Sequence, residues 1–338
     1  MREVATNEIF TKARERFIPL NATFELTYRC NLSCVHCYQE ENTDGELATE
    51  EVFSVIEQLA QCGTLNMTLT GGEALMREDF FEIARHARKR NMGISLISNG
   101  TLIEEGIVEK MKHLHFSNIS ISLHGVTPEI HEAVTGTAGS FSRTVKAVKL
   151  LAESGFKVTV KTSVMKQNAG EIERINDFCN GIGAELSANP SLCPTTRGST
   201  RPLNYRLSDK ELRIYMMWET GNKEVRGLTR TCNAGLCNVG ISPKGDIFPC
   251  NIIRLEAGNL RQQSFEDIWN SSPSLQWIRG LKMEDFEECS KCKLLDVCVR
   301  CPGQALSEEG DLLVPLKESC RIARIRKEAK NGKGNPKS

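Results

Sequence analysis

Between about residue 20 and residue 200, short apolar runs alternate with longer amphipathic stretches. The runs ATFELT (22–27), NMTLT (66–70), GISLIS (93–98), NISISL (118–123), KVTVKTSV (157–164) and AELSAN (184–189) predict strands. Between them, ATEEVFSVIEQLAQC (48–62), REDFFEIARHARKR (77–90) and SRTVKAVKLLAES (142–154) repeat apolar residues at helical spacing. Six strand-then-helix units predict an α/β fold with a parallel sheet, either open or rolled into a barrel. In a barrel the working residues sit at the carboxyl ends of the strands.

Near residue 230 the pattern changes. Strand–helix alternation is expected to stop there, and eight of the 14 cysteines fall within 232–320. The stretch 194–208, PTTRGSTRPLNYRLS, reads as a connector rich in Pro, Thr, Ser and Gly. The pattern divides the chain into an N-terminal extension (1–20), a barrel (21–200), a linker (201–229), a Cys-rich unit (230–322) and a basic tail (323–338). The last 18 residues carry seven Lys/Arg against one Glu, which reads as a helix end running into a frayed tail.

Composition narrows the function. The 338 residues are 40% hydrophobic and 25% charged, enough for a large core, and Lys+Arg and Asp+Glu balance at 43 each. No global field favours nucleic acid or a membrane surface. No apolar run approaches the ~20 residues of a membrane span, and the N-terminus lacks a signal-peptide core. The expected compartment is the cytoplasm. There, 14 cysteines are not expected to form structural disulfides, and close spacing points to metal or catalysis.

Cys30, Cys34 and Cys37 follow the first strand with three and then two residues between them. Three thiolates in such a loop can wrap one corner of an iron–sulfur cube and leave one iron without a protein ligand. A zinc site completed from elsewhere, or a group of buried thiols, is the alternative. His36 adjoins Cys37 and is poorly placed as a fourth ligand.

The C-x3-C-x2-C pattern after the first strand of an α/β chain resembles the radical S-adenosylmethionine (SAM) family. That resemblance implies a partial (β/α)6 TIM barrel and a [4Fe–4S] cluster on Cys30, Cys34 and Cys37 whose open iron binds SAM. It implies one-electron cleavage of SAM to a 5′-deoxyadenosyl radical that abstracts hydrogen from an unactivated C–H bond. LTGGEALM (69–76) closes the second strand. Gly71 and Gly72 permit close backbone approach, and Glu73 resembles the family's acceptor for the SAM ammonium.

Ser98, Asn99 and Ser122 end the third and fourth strands, where the resemblance places ribose contacts. Arg143 matches a position that can pair with the SAM carboxylate, or it is an exposed helix residue. Leu186 matches a position lining adenine, or it packs in the core. Tyr38 is a candidate neighbour of the nucleoside. Many relatives have Asp where this chain has His124, so His124 is either a hydrogen-bonded structural residue or a proton-transfer group. Cys193, after the sixth strand, is a candidate hydrogen or proton donor. Cys62 and Cys179 lie in helical stretches and read as small buried apolar residues.

The later cysteines run Cys232-x4-Cys237-x12-Cys250, then Cys289-x2-Cys292-x5-Cys298-x2-Cys301, then Cys320. Gly245 precedes Cys250 with four residues between them. The array resembles the SPASM domain, which carries auxiliary iron–sulfur clusters. The resemblance implies one [4Fe–4S] cluster on Cys232, Cys237, Cys250 and Cys301 and a second on Cys289, Cys292, Cys298 and Cys320. The usual gap before the seventh ligand is three residues, and here it is two, which makes Cys301 the least secure ligand. Two structural zinc ions are the alternative, and a metal-binding scaffold without catalysis is the reading from another class.

SPASM-bearing radical SAM enzymes mostly modify ribosomally made peptides or proteins, and another branch alters tetrapyrrole side chains in haem biosynthesis. The preferred expectation is peptide modification, such as a crosslink or thioether. Its partners would be a precursor peptide, a separate small peptide-recognition protein and an electron donor such as flavodoxin or ferredoxin. The recognition protein is expected because the barrel starts near residue 20. A tetrapyrrole would ask for basic groups at the barrel mouth, and Arg197 and Arg201 are the candidates.

Overall fold

Six parallel strands cross one sheet in the order in which they occur in the chain. The computed structural model describes residues 2–40, 43–222 and 232–332. Helix α1 (Arg2–Glu15) leads into β1 (Asn21–Glu25), α2 (Thr49–Gln61), β2 (Asn66–Thr70), α3 (Phe80–Lys89), β3 (Gly93–Ser98) and α4 (Glu105–Lys112). Then come β4 (Asn118–Ser122), α5 (Pro128–Thr135), α6 (Ser140–Glu153), β5 (Val158–Ser163), α7 (Ile172–Gly181) and β6 (Glu185–Asn189). The second half holds α8 (Asp209–Asn222), β7 (Asn238–Ile241), β8 (Asp246–Phe248), β9 (Gly258–Asn259), α9 (Phe265–Ser271) and α10 (Pro273–Gly280). It ends with α11 (Glu287–Ser290), α12 (Pro302–Glu309) and α13 (Lys317–Gly332).

The sheet order is β6-β5-β4-β3-β2-β1-β7-β8-β9, with β1 to β7 parallel and the last two pairings antiparallel. Because β1 and β6 are not neighbours, the six-stranded part stays open as a partial barrel. Right-handed crossovers put the connecting helices on one face. Helix α2 shows why: Val52, Val55, Ile56 and Leu59 form one buried stripe, and the Glu51 carboxylate accepts a hydrogen bond from the Ala48 N–H at its start. These side chains join Phe24, Leu69, Leu96 and Ile119 of the sheet in the main core.

Parallel register puts paired residues on the same face, so the opposite face can be read off. Thr23 pairs with Thr68, Thr68 with Ser95, and Ser95 with Asn118. Ile97 pairs with Ser120, Ser120 with Thr159, and Thr159 with Glu185. Ser122 pairs with Lys161, and Lys161 with Ser187. The inner face is therefore polar along these rows, with Ile97 as the exception.

Two differences from the sequence reading have clear causes. The unit after residue 230 does contain strands, but β7, β8 and β9 are four, three and two residues long. That is too short for a periodicity to register. Strand β7 pairs with β1, so the Cys-rich unit continues the barrel's own sheet. Within the expected linker, α8 packs through Leu212, Tyr215 and Met216 on Ile322 and Ile325 of α13. A buried Arg326–Glu219 pair at 2.7 Å closes that contact. Part of the basic tail is thus a packed helix, while residues 333–338 lie outside the described residues. Among the described residues, no helix is long and apolar enough to cross a membrane.

Candidate functional site

Cys30, Cys34 and Cys37 sit in the loop leaving the carboxyl end of β1, as the spacing predicts. The loop is pinned by its backbone to the end of α5, through Ser33 N–H to Thr135 O (3.0 Å) and Val35 N–H to Val134 O (2.9 Å). Asn99 Nδ2 donates to Asn31 Oδ1 (2.9 Å) and approaches Cys30 Sγ (3.9 Å). Burial, then the charges of Cys37 and Cys30, push the Cys34 thiol up to about 12. Burial also raises Cys30, with Cys37 contributing. The three sulfurs thus crowd one another electrostatically, and a bound cationic centre relieves that repulsion by taking them as thiolates. Among the described residues, no three His, Cys, Asp or Glu side chains are gathered tightly enough to hold a single ion. A cubane asks each thiol to reach a different iron.

Gly71 and Gly72 lie against the chain entering this loop. Gly71 has φ +142, and a Cβ there would meet Thr27 O at 2.2 Å. A Cβ on Gly72 would meet Arg29 O at 2.4 Å. The same strip is bonded by Gly72 N–H to Thr27 O and Glu73 N–H to Arg29 O, both 2.8 Å. We expect Gly72→Ala to destabilise the fold by about 1–3 kcal/mol, because the obstacle is backbone and cannot rotate away. Calorimetry should show the first melting transition lower by roughly 2–10 °C.

The Glu73 side chain is fully buried. It accepts from Leu75 N–H (3.1 Å), Ser98 Oγ (2.9 Å) and Asn99 N–H (2.8 Å). Burial raises its pKa, and the hydrogen bonds offset only part of that. Among the described residues no cation pairs with it. A buried carboxylate of this kind is completed by an ammonium, so the donor set and the carboxylate fit a cluster with SAM bound beside it.

The other sequence candidates separate. Ser98 lies on the helix-packed face in register with Ile121 and holds Glu73, whereas Ser122 faces inward beside Lys161. Asn99 links the end of β3 to both Glu73 and the cysteine loop. Arg143 is exposed on the first turn of α6. Leu186 pairs with Val160 and packs on the main core, so strand alternation turns it away from the inner face. Tyr38 turns its hydroxyl toward Glu25 (3.4 Å) and Asn251 (3.5 Å). Cys179 is buried in the core on α7, as expected, whereas Cys62 sits one residue past α2 and is only partly buried against the core.

His124 is buried at the end of β4, its ring edge-on to His36 with centroids 4.8 Å apart and 5.9 Å from His131. Its N–H donates to His131 Nδ1 (3.2 Å), and its own Nδ1 has no protein partner among the described residues. Burial, then His36 and His131, hold its pKa well below the usual value, so the ring is neutral near pH 7. His131 is a neighbour that its sequence context does not flag.

Seven of the eight later cysteines separate into two neighbourhoods. Cys250 feels Cys232 and Cys301. Cys298 feels Cys320, Cys289 and Cys292. Cys237 is fully buried, packed with Ala13 of α1 and with Leu20, so the N-terminal extension covers this thiol. Between barrel and Cys-rich unit lies a cavity of about 220 Å³ lined by Tyr38, Cys193, Asn251, Arg254 and Ser307, among others. Burial, then Cys301, push the Cys193 thiol up to about 11. Arg254 Nη2 donates to both oxygens of the buried Glu25, at 2.7 and 2.8 Å. Neither partner carries a motif, but Glu25 is the last residue of β1 and points inward, at the strand end where a barrel's working residues sit.

Residues 24–179 match the Radical SAM superfamily, and residues 232–301 match the SPASM iron–sulfur cluster-binding domain. An AdoMet-dependent heme synthase of Methanosarcina barkeri is 30% identical over 87% of this chain and 94% of its own. The antilisterial bacteriocin subtilosin biosynthesis protein AlbA of Bacillus subtilis is 31% identical over 84% of this chain and 67% of its own. In shape the chain is similar to anSMEcpe with bound AdoMet (TM-score 0.72, 19% identity, 93% of this chain and 97% of that one). It is also similar to Streptococcus suis SuiB bound to precursor peptide SuiA (TM-score 0.69, 18% identity, 92% and 78%).

Proposed function

Given that the chain belongs to the radical SAM superfamily and carries a SPASM domain, we propose that it is an oxidoreductase that modifies a ribosomally made peptide. Cys30, Cys34 and Cys37 hold the SAM-binding cluster in this reading. The sets Cys232, Cys237, Cys250, Cys301 and Cys289, Cys292, Cys298, Cys320 hold two auxiliary clusters. When bound, cluster and SAM supply one-electron chemistry that removes a hydrogen atom from an unactivated C–H bond. The chain's task is to seat SAM, present the substrate carbon and keep water away. Glu73 receives the ammonium, and the Gly71–Gly72 strip fixes the distance between Glu73 and the cysteine loop.

The observation carrying the peptide reading is the polar inner face, from Thr23 through Ser122 to Ser187. An extended peptide needs hydrogen-bond partners for its backbone, which such a face supplies. A flat apolar macrocycle needs an apolar wall. The cavity of about 220 Å³ suits an amino-acid side chain and falls below the ~300–1,000 Å³ of larger ligands. AlbA, a mycofactocin maturase of Mycobacterium tuberculosis and SuiB, which binds a precursor peptide, lend support. A separate recognition protein and a flavodoxin or ferredoxin donor complete the reading. Coexpression with a candidate precursor peptide tests it: the product should weigh two hydrogens less, and an unmodified peptide from an enzyme that cleaves SAM would overturn it.

The haem synthase relative supports a second reading, tetrapyrrole side-chain modification. The two arginines that the sequence offers for it are poorly placed: Arg197 pairs with Glu40 at 3.3 Å, and Arg201 is exposed on the connector. Release of carbon dioxide from a tetrapyrrole propionate would favour it over the peptide.

Two outcomes follow for the proposed site. Glu73→Gln should weaken SAM binding about 10- to 100-fold by calorimetry, the effect of losing a charged hydrogen bond of ~1.5–3 kcal/mol. Lys161 is half-buried on the inner face without a hydrogen-bond or ion-pair partner among the described residues. Burial lowers its pKa. An anionic substrate group would complete it, so Lys161→Met should raise the KM for an acidic peptide about tenfold while leaving SAM affinity unchanged.

A further inference from the structure

Arg300 stands between Cys298 and Cys301, next to a proposed ligand of the first auxiliary set and two positions after one of the second. Its side chain is buried, with 7% of the residue exposed. Its Nη2 donates to the carbonyls of Leu312 and Val314, and the guanidinium lies over the Phe286 ring at 4.9 Å. Nε has no partner among the described residues. No carboxylate pairs with it there either. Carbonyl oxygens and a ring face satisfy hydrogen bonds but do not neutralise a full charge, and an uncompensated buried cation is costly. The groups whose charge reaches it are the sulfurs of Cys289, Cys298, Cys301 and Cys320. Three belong to the second set and one to the first. Other charges nearby are Glu288 beside Cys289 and Arg14 beside Cys232.

We propose that Arg300 is the fixed counter-charge of the auxiliary clusters, raising the reduction potential of both and of the second more. The inference rests on the two-cluster reading above. A cube held by four thiolates is anionic, and each electron it gains adds one more negative charge. A buried cation at fixed distance stabilises the reduced state more than the oxidised one, and low-dielectric surroundings enlarge the difference. The carbonyls of Leu312 and Val314 and the Phe286 ring hold the guanidinium in place. Arg300 therefore acts through the clusters and not on substrate. A raised potential makes the auxiliary clusters ready acceptors for an electron leaving the oxidised substrate.

The test is a dithionite titration of the anaerobically reconstituted full chain, followed by electron paramagnetic resonance. Iron and sulfide counts first establish whether the native chain carries three cubanes. If it carries one, the two-cluster reading fails and this inference goes with it. With three present, Arg300→Gln should lower the midpoint of the second auxiliary cluster so that, at fixed solution potential, its reduced-to-oxidised ratio falls about tenfold. That is ~59 mV for a one-electron couple. The first auxiliary cluster should shift less in the same direction, and the SAM-binding cluster should not move. Arg300→Lys keeps a charge but loses the planar fork and ring stacking, so its midpoint should lie between the native value and that of Arg300→Gln. Should Arg300→Gln fail to retain its clusters, Arg300→Lys decides alone: a midpoint below the native value supports the proposal. Unchanged auxiliary midpoints in a cluster-replete variant overturn it.

Discussion

Cys34→Ala is expected to abolish reductive SAM cleavage while leaving the auxiliary clusters in place. The Cys34 sulfur lies in the loop after β1 and interacts with Cys30 and Cys37, whereas Cys250 and Cys298 sense other cysteines of the Cys-rich unit. Removing one of three thiolates leaves a cubane with two protein ligands, which does not survive reduction. The variant should lose about four iron atoms per chain, one cubane's worth, and form no detectable 5′-deoxyadenosine after dithionite treatment. It should keep its brown colour and most of its melting temperature, because the loop backbone is held by α5 and by Asn99. Retention of full iron content with normal SAM cleavage would remove Cys34 from the site. Zinc in place of iron on anaerobic isolation would remove the whole reading.

Arg254→Met should produce the largest loss of stability. Glu25 is 1% exposed, and Arg254 reaches across from the Cys-rich unit to pair with it. The pair joins the end of β1 to the segment after β8, while Phe248 covers the guanidinium at 4.9 Å. Burial alone would lower the Arg254 pKa, but the Glu25 charge and hydrogen bonds raise it on balance. Cutting away the arginine leaves a carboxylate buried and unpaired, which costs about 3–5 kcal/mol. Removing the charge at both ends, in Glu25→Gln with Arg254→Met, should recover much of that loss, since partners in one buried pair are not additive. Denaturant unfolding of the native chain and the two variants tests this. Equal losses in Arg254→Met and the double variant would show that packing, not the unpaired charge, dominates.

Legibility in the sequence differed by element and by residue type. Strands at 66–70 and 93–98 are read at their observed ends, and α2, α3 and α6 lie within two or three residues of their predicted bounds. Each is long enough to show its period. Strands β7 to β9 are not, and α8 has apolar residues scattered around its circumference, with Ile214 and Met217 exposed. The cysteine spacings are visible because, in the proposed reading, ligation to one compact centre constrains sequence distance. Glu25, Lys161, Arg254 and Arg300 carry no such spacing. A lone charged residue looks the same on a solvated surface and in a buried pair. Ser98 and Leu186 show a third limit, because the face a strand residue occupies depends on register with its neighbour.

The order of residues alone determines the repeated strand–helix units, the loop of three thiols after the first strand and the array of eight later cysteines, and with them the superfamily. These are local properties: periodicity and spacing act within a few turns of chain. Only the folded molecule decides that β7 joins the barrel's sheet beside β1, that Glu73 is sealed without a cation among the described residues, and that Arg254 and Arg300 are buried charges. Those features arise where segments far apart in the chain meet, because burial and charge pairing depend on what surrounds a group in space.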